Sequence, residues 1–171
     1  MDTVRITSGE YKGRKIATPG GGTHPMGERE RIALFNMIAE YLPGASVLDA
    51  FAGSGALGIE ALSRGANNVV FIEKSPKAAK VVKNNLELLG ASFDLVVGGV
   101  ASYVTPNKFD VILVDPPYSS FELTGVEHLT QFLDNDGVFV LSHPGEPPEL
   151  PGLKLQKTRK YAAAHLSVYV K

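Results

Sequence analysis

Short apolar runs alternate with helix-like segments along most of this chain. The apolar runs predict strands, and the segments between them carry apolar residues at the spacing of one helix face. Strands separated by helices of about ten residues form a parallel sheet that helices cover on both faces. The predicted strands are 46–51, 68–72, 93–97, 109–114 and 138–142, the predicted helices are 28–42, 55–64, 76–89 and 121–133, and a turn is predicted at 134–137.

Both ends of the chain depart from this alternation. Two β-type runs at 4–7 and 15–18 flank a turn-rich segment, which predicts a short hairpin or a pair of edge strands. Strand candidates at 153–158 and 166–170 have no helix between them, which predicts an antiparallel pair at the edge of the sheet. The predicted fold class is therefore α/β, with a mostly parallel seven-stranded sheet that ends in an antiparallel C-terminal hairpin.

The length of 171 residues suits one domain with its own core. We divide the chain into a basic hairpin extension with a connector, residues 1–27, and one α/β domain, residues 28–171.

The absence of cysteine excludes disulfides, thiolate zinc sites and cysteine nucleophiles, and the four histidines show no metal-ligand spacing, so no metal site is predicted. No apolar stretch reaches the roughly 18–20 residues of a membrane span. We expect a cytoplasmic monomer that does not bind membranes.

The formal net charge of −1 conceals an uneven distribution. Residues 1–31 carry six Lys or Arg against four Asp or Glu, residues 32–153 carry six against fourteen, and residues 154–171 carry five against none. Phosphate groups respond to local charge rather than to the total. The two basic ends are therefore compatible with a nucleic-acid partner. By charge alone, an ordinary solvated surface explains them equally well.

A glycine-rich loop lies between the predicted strand at 46–51 and the next helix. Gly53, Gly55 and Gly58 fit the G-x-G-x-x-G spacing, which lets the backbone turn tightly and approach a bound nucleotide. Glu73 lies twenty residues after Gly53, at the end of the next strand, where a carboxylate can accept hydrogen bonds from both ribose hydroxyls of an adenosine. These residues suit a nicotinamide dinucleotide as well as S-adenosylmethionine (SAM).

Asp49 favours SAM over the dinucleotide. It precedes the glycines at the end of the strand, where it would face the amino group of the methionine moiety. A carboxylate beside the pyrophosphate of a dinucleotide would cost free energy, because like charges repel. We therefore predict a SAM site, with a nicotinamide-dependent dehydrogenase as an alternative.

A second motif, Asp115-Pro116-Pro117-Tyr118, directly follows the apolar strand at 109–114. Ligands of open α/β sheets bind beyond the carboxyl ends of the strands, near the point where the strand order reverses. The motif and the glycine loop both occupy such ends, so we expect them to face one cleft. Asp115 and the carbonyl of Pro116 would accept both N–H bonds of an exocyclic base amine and aim its lone pair at a sulfonium methyl group. Tyr118 would stack on the base, and the prolines would stiffen the turn.

The N-terminal extension completes a resemblance to a known family. It contains RITSG at 5–9 and YKGRK at 11–15. Together with the glycine loop and the Asp-Pro-Pro-Tyr motif, these segments resemble the RsmD-type 16S ribosomal RNA guanine-N2 methyltransferases along nearly the whole chain. The resemblance implies a Rossmann-like, SAM-dependent methyltransferase fold. It also implies methylation of the N2 amine of a guanine in 16S rRNA, in naked RNA or in a small-subunit particle.

The resemblance also assigns roles to residues by position. The resemblance implies three sets of residues, which would bind the cofactor, the target base and the RNA. The cofactor would contact Asp49, Phe51, Gly53, Gly55, Gly58, Glu73, Gly99 and Val100; the base would contact Asp115, Pro116, Pro117 and Tyr118; and RNA would contact Lys12, Arg14, Lys15, His24 and Arg29.

This chain departs from the family pattern at two of these places. It has His24-Pro25-Met26 where Arg-Pro-Thr is usual, and Gly98-Gly99 where an Asp or Asn commonly holds the adenine amine. Backbone groups near Val100 would then hold the adenine. Two alternatives stay open. One is methylation of an adenine N6 or another base amine, since an Asp-Pro-Pro-Tyr motif can bind adenine and guanine amines alike. The other is a ribosome assembly factor that binds SAM and RNA but has weak or lost catalysis.

Overall fold

The computed structural model describes residues 2–21, 26–161 and 164–171, and within them it shows two sheets. The smaller sheet is an antiparallel hairpin, as the sequence predicts, and the larger sheet has seven strands. The strands are β1 (Thr3–Arg5), β2 (Lys15–Ala17), β3 (Ser46–Asp49), β4 (Asn68–Glu73), β5 (Asp94–Val97), β6 (Phe109–Val114), β7 (Leu133–His143), β8 (Lys154–Tyr161) and β9 (Ala164–Val170). The helices are α1 (Glu28–Met37), α2 (Ala56–Ser63), α3 (Pro76–Leu89) and α4 (Leu123–Leu129).

The order of strands in the large sheet is β5-β4-β3-β6-β7-β9-β8. Strands β3 to β7 pair in parallel, and β9 pairs antiparallel with both β7 and β8. The predicted α/β class, with its antiparallel pair at the edge, is therefore confirmed. The order reverses between β3 and β6, because β4 and β5 lie on one side of β3 and β6 lies on the other. Parallel strands end at the same edge of a sheet, so the loops after β3 and β6 are neighbours.

Apolar layers cover both faces of this sheet. Val111 of β6 belongs to the layer beneath α1, α2 and α3, whereas the next residue, Ile112, belongs to the layer beneath α4. Successive residues of a strand point to opposite faces. A strand that is buried on both faces therefore needs a continuous apolar run, which is what β6 has.

One predicted turn is wrong. Residues 134–137 lie within β7, opposite a register shift between Phe109 and Val111 of β6. Gly137 fits at this irregularity because a β-carbon there would lie 2.8 Å from the carbonyl oxygen of Asp110. The turn-forming residues are therefore accommodated as an irregular segment of a strand.

Two predicted helices are shorter in the structure. After α1 and α4, the chain continues in 3-10 turns at Ala39–Tyr41 and Thr130–Phe132. Such turns are common at helix ends, and the apolar spacing alone does not distinguish them from α-helix. None of the helices in the described ranges has the length and apolarity needed to cross a bilayer.

A buried carboxylate attaches the N-terminal hairpin to α2. Glu60 is fully buried and accepts hydrogen bonds from the backbone nitrogens of Thr7 at 3.0 Å and Ser8 at 3.3 Å. It also forms ion pairs with Arg31 at 3.5 Å and with Arg64 at 3.2 Å. Arg31 is itself 1% exposed. The hairpin is thus held to the domain by a buried charge network.

Asn85 of α3 connects the hairpin to the loop after β3. Its side-chain oxygen accepts from the backbone nitrogen of Ala17 at 3.0 Å. Its side-chain nitrogen donates to the carbonyl oxygens of Ala17 and Ser54, each at 2.9 Å. One buried amide therefore contacts both β2 and the glycine loop.

We expect Glu60→Gln to lower the free energy of unfolding by about 3 kcal/mol, because it leaves the buried guanidinium of Arg31 without its counter-charge. Urea unfolding followed by circular dichroism measures the loss. Glu87→Gln is the matched control, since Glu87 pairs with Lys83 at the surface, where an ion pair contributes under ~1 kcal/mol. Equal losses in the two variants would show that the buried network does not stabilise the fold.

Candidate active site

The loop after β3 is shaped by its glycines and by Asp49. Gly53 and Gly55 have φ angles of 58° and 85°, a left-handed conformation that favours glycine. Asp49 is 1% exposed, and its Oδ2 accepts from the backbone nitrogen of Gly58 at 2.9 Å. Among the described residues, no donor reaches its Oδ1. A buried carboxylate oxygen without a donor favours a ligand that supplies an N–H group.

Glu73, the last residue of β4, holds the same loop. Its Oε1 accepts from the backbone nitrogen of Gly53 at 2.8 Å, and its Oε2 accepts from the backbone nitrogen of Ser75 at 2.7 Å. This role in shaping the loop was not predicted from the sequence. Each carboxylate oxygen can accept a further hydrogen bond, so the contact between Glu73 and ribose hydroxyls stays a prediction that the geometry allows.

The segment after β5 lies beside Glu73. The backbone nitrogen of Gly98 donates to the carbonyl oxygen of Glu73 at 2.9 Å, and Val100 begins a 3-10 turn. A β-carbon at Gly98 or Gly99 would have no atom within 4 Å apart from those of the glycine itself and its two chain neighbours. Both positions therefore border open space. The contact of Gly99 and Val100 with an adenine stays a prediction.

The Asp-Pro-Pro-Tyr motif follows β6, beside the glycine loop. Pro116 is buried, whereas Pro117 and Tyr118 are exposed, with Tyr118 beginning a 3-10 turn. Ser142, near the end of β7, forms hydrogen bonds with the hydroxyl of Tyr118 and with the carboxylate of Asp115. Sequence reasoning missed Ser142, although a polar residue at the carboxyl end of an apolar strand was an available signal. Its two contacts hold the motif against the neighbouring strand.

Three carboxylates make this cleft acidic. Burial raises the pKa of Asp49 to about 7, with the N–H of Gly58 lowering it and the charges of Asp115 and Glu73 raising it further. Burial likewise raises the pKa of Asp115 to about 6, although the hydrogen bond with Ser142 lowers it. Ionised carboxylates that repel one another stabilise a positively charged ligand between them. The cleft is therefore suited to a cation.

The hairpin residues predicted to bind RNA lie far from this cleft. The turn that carries Lys12 contacts Ser63, at the end of α2, through the backbone nitrogen of Tyr11. Arg14 donates to the carbonyl oxygen of Leu88, near the end of α3, at 3.3 Å. Both helices begin near the cleft and lead away from it, and the eight residues of α2 span about 12 Å. RNA contact by Lys12 and Arg14 stays a prediction, at a position remote from the glycine loop.

The other predicted RNA contacts lie elsewhere. Lys15 begins β2, Arg29 lies in the first turn of α1, and both side chains are exposed. Lys15 also lines a cavity of about 250 Å³ between the hairpin and α1. His24 lies outside the described residues. RNA contact by these residues also stays a prediction.

A mostly parallel seven-stranded sheet with an antiparallel β9, and with the glycine loop and the Asp-Pro-Pro-Tyr motif at its switch point, has the architecture of a Rossmann-like methyltransferase. The model of the family described as Conserved hypothetical protein 95 matches residues 4–170, and this chain belongs to that family. The resemblance to the RsmD family that the motifs indicated is therefore confirmed.

Relatives and solved structures agree with this assignment. YlbH of Bacillus subtilis strain 168, named as a candidate rRNA methyltransferase, is 34% identical over 182 residues, covering 98% of this chain and 99% of its own length. Ribosomal RNA small subunit methyltransferase D of Escherichia coli K12 is 39% identical over 119 residues, covering 67% of this chain and 60% of its own length. The structure of YhhF from Escherichia coli, named as a candidate methyltransferase, superposes with a TM-score of 0.89 at 28% identity, covering 98% of this chain and 97% of that one.

Proposed function

We propose that this protein transfers a methyl group from SAM to the exocyclic N2 amine of a guanine in 16S ribosomal RNA. The observation that carries the proposal is the pairing of β3 with β6, which makes the glycine loop and the Asp-Pro-Pro-Tyr motif neighbours at the switch point. The relatives that are named for small-subunit rRNA methylation support rRNA as the acceptor. Such a substrate makes the cytoplasm the expected location, and the protein acts there as a monomer on the RNA or on the small-subunit particle.

SAM fits the charge and the free acceptors of the cleft. It carries an ammonium and a sulfonium group, and the cleft carries three carboxylates. Oδ1 of Asp49, which has no donor within the described ranges, would accept from the amino group. The glycine loop would bring its backbone close, Glu73 would accept from the ribose hydroxyls, and backbone groups near Val100 would hold the adenine. When bound, SAM supplies an electrophilic methyl carbon.

The Asp-Pro-Pro-Tyr motif orients and activates the amine. Asp115 and the carbonyl oxygen of Pro116 each accept one N–H bond, which directs the nitrogen lone pair toward the methyl carbon. The charge of Asp115 also stabilises the positive charge that develops on the nitrogen. Formation of the N–C bond would break the S–C bond of SAM, and Asp115 or water would take the proton that the amine loses. Tyr118 stacks on the base, which contributes about 1–3 kcal/mol, and Ser142 fixes the position of its ring.

Assays with isotopically labelled SAM test the acceptor. We expect label in 16S rRNA or in the small-subunit particle, recovered as N2-methylguanosine after digestion and mass spectrometry. Recovery as N6-methyladenosine would assign the site to the other base amine. If neither acceptor gained label, methyl transfer to rRNA would be ruled out.

We expect Gly99→Asp to tighten SAM binding about tenfold, as measured by calorimetry. Gly99 has φ −84° and ψ 152°, which any residue adopts, and the new side chain enters open space. Its carboxylate would accept a hydrogen bond from the adenine amine. Gly98→Asp is the matched control, one position earlier and also in open space, and it should change affinity less. An unchanged affinity in both variants would contradict the placement of the adenine beside this turn.

A further inference from the structure

A basic groove lies between α1 and the edge strand β8. It is an open groove of about 300 Å³, which we call the β8 groove, and it is lined by Ala33, Asn36, Met37, Lys157, Arg159 and Tyr161. Neither cation has an ion-pair partner within 4.0 Å among the described residues, and both side chains are exposed. The groove therefore presents two uncompensated positive charges beside an aromatic ring and a side-chain amide.

The alternation of β8 places these residues together. β8 has a register shift between Leu155 and Lys157. Beyond it, Lys157, Arg159 and Tyr161 are two residues apart, so they share one face of the strand. That face is the one covered by α1, because Ala33 and Asn36 of α1 line the same groove.

The β8 groove shares a row of the sheet with the candidate active site. Arg159 pairs with Leu166 of β9, and Leu166 pairs with Ser142 of β7. Directly paired residues point to the same face, and two strand spacings of about 4.8 Å place Arg159 about 10 Å from Ser142. Ser142 contacts Asp115 and Tyr118. Arg159 of the groove is thus two strands away, in the same row, from the serine that contacts the residues expected to hold the target base, whereas the hairpin turn lies beyond the far end of α2.

We propose that the β8 groove binds the RNA backbone next to the methylated nucleotide. This inference rests on the proposed function, which supplies the RNA. Lys157 and Arg159 contact phosphates that flank the splayed-out base, Tyr161 offers a ring to a neighbouring base, and Asn36 can pair with a 2′-hydroxyl or a base edge. RNA matches the groove because a chain of phosphates complements a row of cations, and because all five charged residues of 154–171 are basic.

Charge reversal at the groove tests the proposal. We expect Lys157→Glu with Arg159→Glu to weaken the affinity for a 16S rRNA transcript about tenfold and to reduce the slope of log affinity against log salt by about 1.4, since each single-strand phosphate contact contributes about 0.7. SAM affinity and the melting temperature should not change. Lys80→Glu with Lys83→Glu, on the exposed side of α3, is the matched control for total charge and should weaken RNA binding less than twofold. The charge-preserving swap Lys157→Arg with Arg159→Lys should keep wild-type affinity.

Two outcomes would overturn the proposal. One is an affinity loss no greater than that of the α3 control. The other is an unchanged affinity for the naked transcript with a loss confined to assembled particles, which would assign the groove to a ribosomal protein. Methyl incorporation by the wild-type protein is measured in parallel. If it is absent, the proposed function fails, whereas the binding data still decide whether the groove docks RNA.

Discussion

Replacing Asp115 with asparagine should lower kcat about 1000-fold while SAM affinity stays within about twofold. Asparagine keeps the size of the side chain but removes the charge that stabilises the developing cation, and it can present a donor where the amine needs an acceptor. Single-turnover methyl transfer to 16S rRNA measures the first quantity, and calorimetry measures the second. Asp136→Asn, at an exposed position of β7, is the control for loss of one carboxylate and should retain full activity.

The pH profile of the wild-type enzyme provides a second readout of Asp115. Because burial raises its pKa to about 6 and the ionised form orients the amine, kcat/KM should rise between about pH 5 and about pH 7. This rise should be absent from the residual activity of the asparagine variant. A rise that persisted in the variant would assign the titration to another group, and full activity of the variant would remove Asp115 from the mechanism.

Asp49→Asn should have opposite effects on cofactor binding and on the stability of the free protein. SAM affinity should fall about 100-fold, because the buried carboxylate no longer pairs with the ammonium group. Without SAM, the variant should be more stable than wild type near pH 8. The pKa of Asp49 is raised to about 7 mainly by burial, so ionising it in the folded protein costs free energy. The gain should reach a few kcal/mol at most, at roughly 1.4 kcal/mol for each unit by which the pKa is raised.

The size of this effect depends on pH. The folded-state pKa lies above the unfolded value of 3.8, so between about pH 4 and pH 7 the folded protein holds more protons than the unfolded chain. The contribution of Asp49 to the free energy of unfolding therefore falls as pH rises through this window. Melting temperatures of the two proteins should coincide near pH 4, separate as the pH rises to about 7, and stay apart above it. Saturating SAM should reverse their order. A variant that is less stable than wild type at pH 8 without SAM would contradict the cost assigned to the buried charge.

The sequence was sufficient to predict the parts of the site that depend on local chemistry and topology. The apolar strand before Asp115, the glycine spacing after Asp49 and the order of strands and helices each leave a pattern in consecutive residues. Parallel pairing then requires the two loops to share an edge, and the pairing of β3 with β6 confirms that expectation.

Contacts between distant residues could not be predicted in this way. Ser142 reaches Asp115 and Tyr118 only because β7 lies beside β6 in one particular register. In the sequence, Glu60 cannot be distinguished from a polar residue on an exposed helix face, because its burial depends on the hairpin that packs over it. The turn expected at 134–137 has turn-forming residues, but pairing with β6 overrides that local preference. In each case the partner lies more than twenty residues away, so no pattern in consecutive residues predicts the contact.

The shared amide of Asn85 limits how this protein can be dissected. Deleting the first strands would remove two of the three hydrogen bonds of that buried side chain, those with Ala17, and leave only the bond with Ser54 in the glycine loop. An N-terminally truncated protein would therefore be impaired in SAM binding as well as in any RNA contact. Separating these two activities requires single substitutions at exposed positions of the intact chain, not shortened versions of it.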